Sequence, residues 1–156
     1  MATGWRYRVA SVTGTLALTA MTVTLVNLPA VQNAFALVPL VGGPAPAVLT
    51  NGALALAVGT TITVLSGAMW PVFKPRPRRI LDTILLTQKR VLLAMLVLAT
   101  LGYFDYTYRL PRSTLLLTAG ALLVVLPVWM LAIRRPPSAT DRAVIVGDDP
   151  QTMADL

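Results

Sequence analysis

Residues 9–73 carry no charged side chain, an uninterrupted interval of 65 positions between Arg8 and Lys74. A small water-soluble domain cannot hide that much uncharged chain, because much of its surface stays exposed and a greasy surface associates. The interval therefore belongs in a medium that does not favour charge. Composition agrees: 56% of the 156 residues are hydrophobic and 12% are charged, against about 25% charged in soluble domains. A lipid bilayer meets these conditions, and inside it the backbone must satisfy its own polar groups, which favours helices. The sequence predicts an all-α membrane protein with four transmembrane helices.

The first span covers residues 9–28, behind Arg6 and Arg8. About 20 residues reach across ~30 Å of hydrocarbon. That exceeds the apolar core of a cleavable signal peptide, so the segment is read as a span that stays. Pro29 ends it, and the glycines and prolines of residues 39–46 mark an apolar connecting loop. The second span covers residues 49–70. In it Gly59, Thr63 and Gly67 recur every four residues, a helix-packing face that suits close approach of another span of the same chain. Trp70 stands where an interfacial aromatic belongs.

Lys74, Arg76, Arg78 and Arg79 follow, interleaved with Pro75 and Pro77, so this stretch is extended. Ile80, Leu81, Ile84 and Leu85 then fall at helical spacing opposite Asp82 and Gln88. The pattern predicts a short amphipathic interfacial helix over about 79–88. Together with Lys89 and Arg90, the basic residues form a membrane-surface cluster whose partner is anionic headgroups, at about 1 kcal/mol per basic residue. Nucleic acid is a poor partner for a basic run held between two spans.

The third span is placed at residues 90–108 and is short. Residues 91–104, between Arg90 and Asp105, reach only ~21 Å. It crosses if Lys89 and Arg90 snorkel at one side and Tyr103, Phe104, Tyr106 and Tyr108 form an aromatic belt at the other. Asp105 and Arg109 are spaced to pair. The fourth span covers residues 113–133, with Pro127 as a tolerated kink and Trp129, Arg134 and Arg135 marking its far end. Eleven of the thirteen Lys and Arg residues then lie on one side. The positive-inside rule makes this a multi-pass protein of the cell membrane with both termini cytoplasmic.

The missing residue types bound the chemistry. Cysteine and histidine are absent, and all six acidic residues are aspartates. Disulfides, thiol chemistry and the commonest general base are thereby excluded, and the sequence offers no catalytic residue and no metal site. Transport is disfavoured because the spans lack buried ionisable groups. Thr13, Thr15, Thr19, Thr22 and Thr24 can bond to their own helix backbone.

Residues 136–141 read as a linker, and residues 142–156, "RAVIVGDDPQTMADL", as the start of a Rossmann-like domain. Residues 143–146 suit a buried strand, Gly147 a turn, and Asp149 and Pro150 a helix start. Gly147 and Asp148 occupy the place of a nucleotide-binding turn. The stretch does not meet the GxGxxG pattern, however, and Asp148 puts negative charge where a pyrophosphate would lie.

This layout, with "FKPRPRRILDTILLTQKRVLLAMLVLATLGYFDYTYRLPRSTLLL" and "RAVIVGDDP", resembles the N-terminal half of the large polyprenyl-phosphate glycosyl-1-phosphate transferases. The resemblance implies four helices before a Rossmann-like domain, followed by a C-terminal catalytic domain. It implies transfer of a sugar phosphate from a nucleotide sugar to a polyprenyl phosphate, in exopolysaccharide or surface-glycan assembly. In that family an Asp–Glu dyad acts with Mg²⁺, and this chain has no glutamate. The expectation is a truncated relative, a fragment or split gene product: a membrane anchor without its catalytic domain or a cofactor of its own. Its partners would be the bilayer and a polyprenyl-phosphate enzyme or separately encoded catalytic half. The alternative is a free-standing four-helix membrane scaffold or assembly subunit without enzymatic activity.

Overall fold

The apolar segments wind into helices wherever proline and glycine permit. The computed structural model describes residues 2–37, 48–74, 79–105, 107 and 110–134. Among these, every regular element is helical: α1 (Ala2–Val26), α2 (Pro29–Ala36), α3 (Asn51–Met69), α4 (Ile80–Phe104) and α5 (Arg112–Ala132). Four of them, all but α2, are long and apolar enough to cross a membrane. The chain has the build of a multi-pass membrane protein.

Helix α1 packs on α3 and α5, and α4 on α3 and α5, while the diagonal pairs stay apart. The result is a ring of four antiparallel neighbours. Its apolar interior holds Leu65, Met69, Val91, Ala94, Leu98, Leu122, Leu126 and Met130. Buried threonines share that interior, and most of them satisfy their hydroxyls locally, Thr118 being the exception. Thr15, Thr19, Thr61 and Thr87 each donate to the carbonyl four residues back, at 2.6–2.7 Å. The same habit holds for Thr13 and Thr24 on the outer face of α1, as expected from the chemistry of hydroxyls in helices.

Three expectations change. Pro29 does end α1, but it also opens α2, because a residue without an N–H is harmless at a first helical position. Buried Gln32 ties α2 down through Val26 O at 2.9 Å and Thr114 Oγ1 at 3.3 Å. Secondly, no separate interfacial helix precedes the third span. Residues 79–88 and 90–108 were expected to be distinct, yet α4 runs unbroken from Ile80 to Phe104. Nothing in residues 80–104 breaks a helix, and its 25 residues reach about 37 Å, removing the shortfall of the 14-residue span. Lys89 and Arg90 consequently lie well inside a spanning helix, so the spans do carry ionisable groups.

Thirdly, Gly59, Thr63 and Gly67 are exposed on the outside of the ring. No other atom lies within 4 Å of where a Cβ would stand on Gly59 or Gly67, so this face packs on no other span of the chain. The inward face of α3 is instead Ala57, Thr61, Leu65 and Met69.

Pro127 sits buried within an uninterrupted α5. Proline lacks the N–H that would reach the carbonyl of Leu123. The Gln88 side-chain amide of α4 stands 3.5 Å from that oxygen, at the long limit of a hydrogen bond. A neighbouring helix thereby serves the freed backbone group, as membrane proline requires.

Candidate functional site at the basic end of the bundle

One end of the ring is closed by a polar knot centred on Arg134, in the turn after α5. Its Nε and Nη2 donate to the Tyr7 hydroxyl of α1 at 3.1 and 3.0 Å. Its Nη1 donates to Thr83 Oγ1 of α4 at 2.7 Å. The Tyr7 hydroxyl in turn donates to the carbonyl of Val72, just beyond α3, at 3.1 Å. Four segments thus meet at one guanidinium, which also lies 5.2 Å from the centroid of the Tyr7 ring, within cation–π range. Every partner is a neutral oxygen, so the positive charge is held but not cancelled.

Trp129 reinforces the knot from below. Its Nε1 donates to Ala10 O at 3.2 Å, and its indole fills the space beside Gly14, where an added methyl would overlap the ring. Trp129 therefore belongs to the α1–α5 contact and not to a lipid-facing belt. Trp70, at the end of α3, is exposed as an interfacial aromatic should be.

Around the knot stand exposed Arg6, Arg8, Lys74 and Arg79. Arg76 and Arg78 lie outside the described residues, as do Gly147, Asp148 and the expected strand and helix start. Of the expected surface cluster, Lys74 and Arg79 are therefore at the rim, while Lys89 and Arg90 are two to three turns along α4. The rim suits oxyanions, which guanidinium and ammonium groups bind by charge-assisted hydrogen bonds.

The opposite end is closed differently. The Asn27 side chain pairs with both backbone groups of Leu49, at 2.7 and 2.8 Å. Asp105 accepts the Thr107 N–H at 2.8 Å. That bond, then the Thr107 hydroxyl, holds the Asp105 carboxyl below its ordinary range. Arg109, its expected partner, lies outside the described residues. Tyr103 and Phe104 are exposed and meet edge to face at 5.4 Å between centroids; Tyr106 and Tyr108 are outside the described residues.

Among the described residues, the Mg²⁺ implied by the family resemblance finds no fitting donors. Among the described residues no three His, Cys, Asp or Glu side chains converge. The two carboxylates of the described side chains, Asp82 and Asp105, stand at opposite ends of α4, about 34 Å apart along its axis.

Tyr7, Gly14, Thr83 and Gln88 carry much of this architecture, and sequence singles out none of them for it, Gln88 being read only as part of a polar face. Each meets a partner 35 to 127 positions away, which no local spacing reveals. Comparison with protein-family models, curated proteins and solved structures gave no match.

Proposed function

We propose that this chain serves as the membrane-anchor part of a sugar transferase that moves a sugar phosphate from a nucleotide sugar to a polyprenyl phosphate. The catalytic groups of that reaction lie outside these residues. The observation that supports the reading most directly is the Arg134 knot. It gathers the start of α1, the α3–α4 connection and the exit of α5 at one rim, so a domain attached beyond Arg134 would emerge beside the basic residues. By the positive-inside rule that rim is cytoplasmic, where nucleotide sugars and anionic headgroups are found.

Two measurements test the reading. The purified chain, given nucleotide sugar, polyprenyl phosphate and Mg²⁺, is expected to show no transfer; turnover would relocate the chemistry into these residues. The reading frame downstream of codon 156 is expected to encode, in frame or after a shift, a Rossmann-like domain and then an Asp–Glu pair. Unrelated downstream sequence would count against an anchor role.

A second reading, a non-enzymatic scaffold or assembly subunit, draws on the outward face of Gly59, Thr63 and Gly67. Crosslinking in native membranes separates the two: a stable complex with a protein unrelated to glycan synthesis favours the scaffold.

A further inference from the structure

Arg90 follows Thr83 by seven residues of continuous helix, about 10 Å of rise. Thr83 is level with the rim, because it bonds Arg134 there. Arg90 and the neighbouring Lys89 therefore lie roughly two turns inside the apolar layer that α1, α3 and α5 define. Lys89 is exposed on the outside of the ring and Arg90 is half-buried. The Arg90 Nε is wholly enclosed and has no hydrogen-bond partner.

No carboxylate of the described residues neutralises this pair. Asp82 is exposed two turns back towards the rim, and Asp105 caps the far end of α4. Ionisable groups at such a depth are rare, and by default they point to a functional site.

The surface beneath the pair suits a hydrocarbon chain. Leu101 is eleven residues beyond Arg90, three turns on, and so on the same flank of α4. It lines an open apolar groove of about 610 Å³ with Gly52, Ala55, Gly59, Thr63 and Val64 of α3. Because α3 runs towards the basic rim, the Thr63–Val64 end of the groove is its upper end, nearer to Arg90. A cation pair above an apolar groove matches one kind of occupant, an amphiphile with an anionic head.

We propose that Lys89 and Arg90 bind the phosphate of one anionic lipid of the basic-side leaflet, drawn below the general headgroup level, with its hydrocarbon chain in the α3–α4 groove. Arginine fits the task because its planar fork engages two phosphate oxygens at once. The small residues of α3 then serve to admit the chain. This proposal stands on the four-span reading and is independent of the sugar-transferase one.

Native mass spectrometry of the full chain, released from nanodiscs of mixed phosphatidylglycerol and phosphatidylcholine, tests it. The wild type is expected to retain one phosphatidylglycerol preferentially, and R90Q and K89Q to weaken that retention at least ~10-fold together. The charge-matched control R112Q, at the opposite rim, is expected to leave it unchanged. Equal retention by wild type and the R90Q/K89Q double variant, or equal loss in R112Q, would overturn the site. Two further arms need no variant. Retention should survive salt that screens exposed charges, and inorganic phosphate should not displace the lipid. Loss in moderate salt would reduce the effect to diffuse attraction, and displacement by phosphate would overturn the assignment to a lipid.

Discussion

At the scale of single residues, the two kinds of glycine in this bundle make opposite predictions. Gly14 gives its space to the Trp129 indole, so Gly14→Ala is expected to push the ring away from Ala10 and destabilise by ~1–3 kcal/mol, the usual range for overpacking. Gly59 faces open space, so Gly59→Ala should be neutral or stabilising by up to ~1 kcal/mol through helix propensity. Denaturation of both variants in mixed micelles measures the contrast. Tyr7→Phe removes an acceptor of Arg134 and the donor to Val72 in one step. A loss of ~1–3 kcal/mol is expected, since a partly buried charged donor is left short of a partner. Acid acts at the other rim. The carboxyl of Asp105 is lowered by its bonds to Thr107, so it contributes fully above the ordinary Asp value of about 3.9. That contribution disappears as pH falls through the lower folded value. The protection of the Thr107 amide, taken relative to its intrinsic exchange rate at each pH, should fall on acidification below that range in the wild type and not change in Asp105→Asn.

At the scale of elements, the telling case is α4. Its apolar length is legible from residues 91–104, but its far end lies at Phe104, four residues before the expected 108, because Asp105 leaves the helical conformation. Its beginning was misjudged because charge at Lys89 and Arg90 reads locally as an interface, whereas the helix continues through it to Ile80. Backbone continuity dominates here, since no residue of 80–90 breaks a helix and Thr83, Thr87 and Val91 keep one face inward. Gln88→Pro discriminates the two descriptions: at a hinge it would be tolerated, but inside a continuous helix it should cost ~3 kcal/mol or more. The Gly59–Thr63–Gly67 face was likewise seen for its spacing but assigned the wrong partner. Periodicity shows that three residues share a face, and only packing shows which way that face turns. Thr13, Thr15, Thr19 and Thr24 follow the expectation because their bonds are local, four residues back along their own helix.

At the scale of the whole molecule, the ring brings both Tyr7 and Arg134 to one rim and Asn27 and Leu49 to the other. Single cysteines at Lys74 and at Leu37, both exposed, should therefore react with impermeant reagent from opposite sides of the membrane. With the basic rim inside, Leu37→Cys labels in intact cells and Lys74→Cys only after lysis; the reverse pattern would invert the orientation. The threonines have a mechanical corollary. By spending their hydroxyls on their own helices, Thr15, Thr19, Thr61 and Thr87 leave the mid-section joined almost wholly by shape. The staves are hooped at top and bottom, by Arg134 and by Asn27 and Gln32, with smooth wood between. A sliding step of α1, α3 or α5 would have to open both hoops at once, whereas a slight swelling of the waist would break neither.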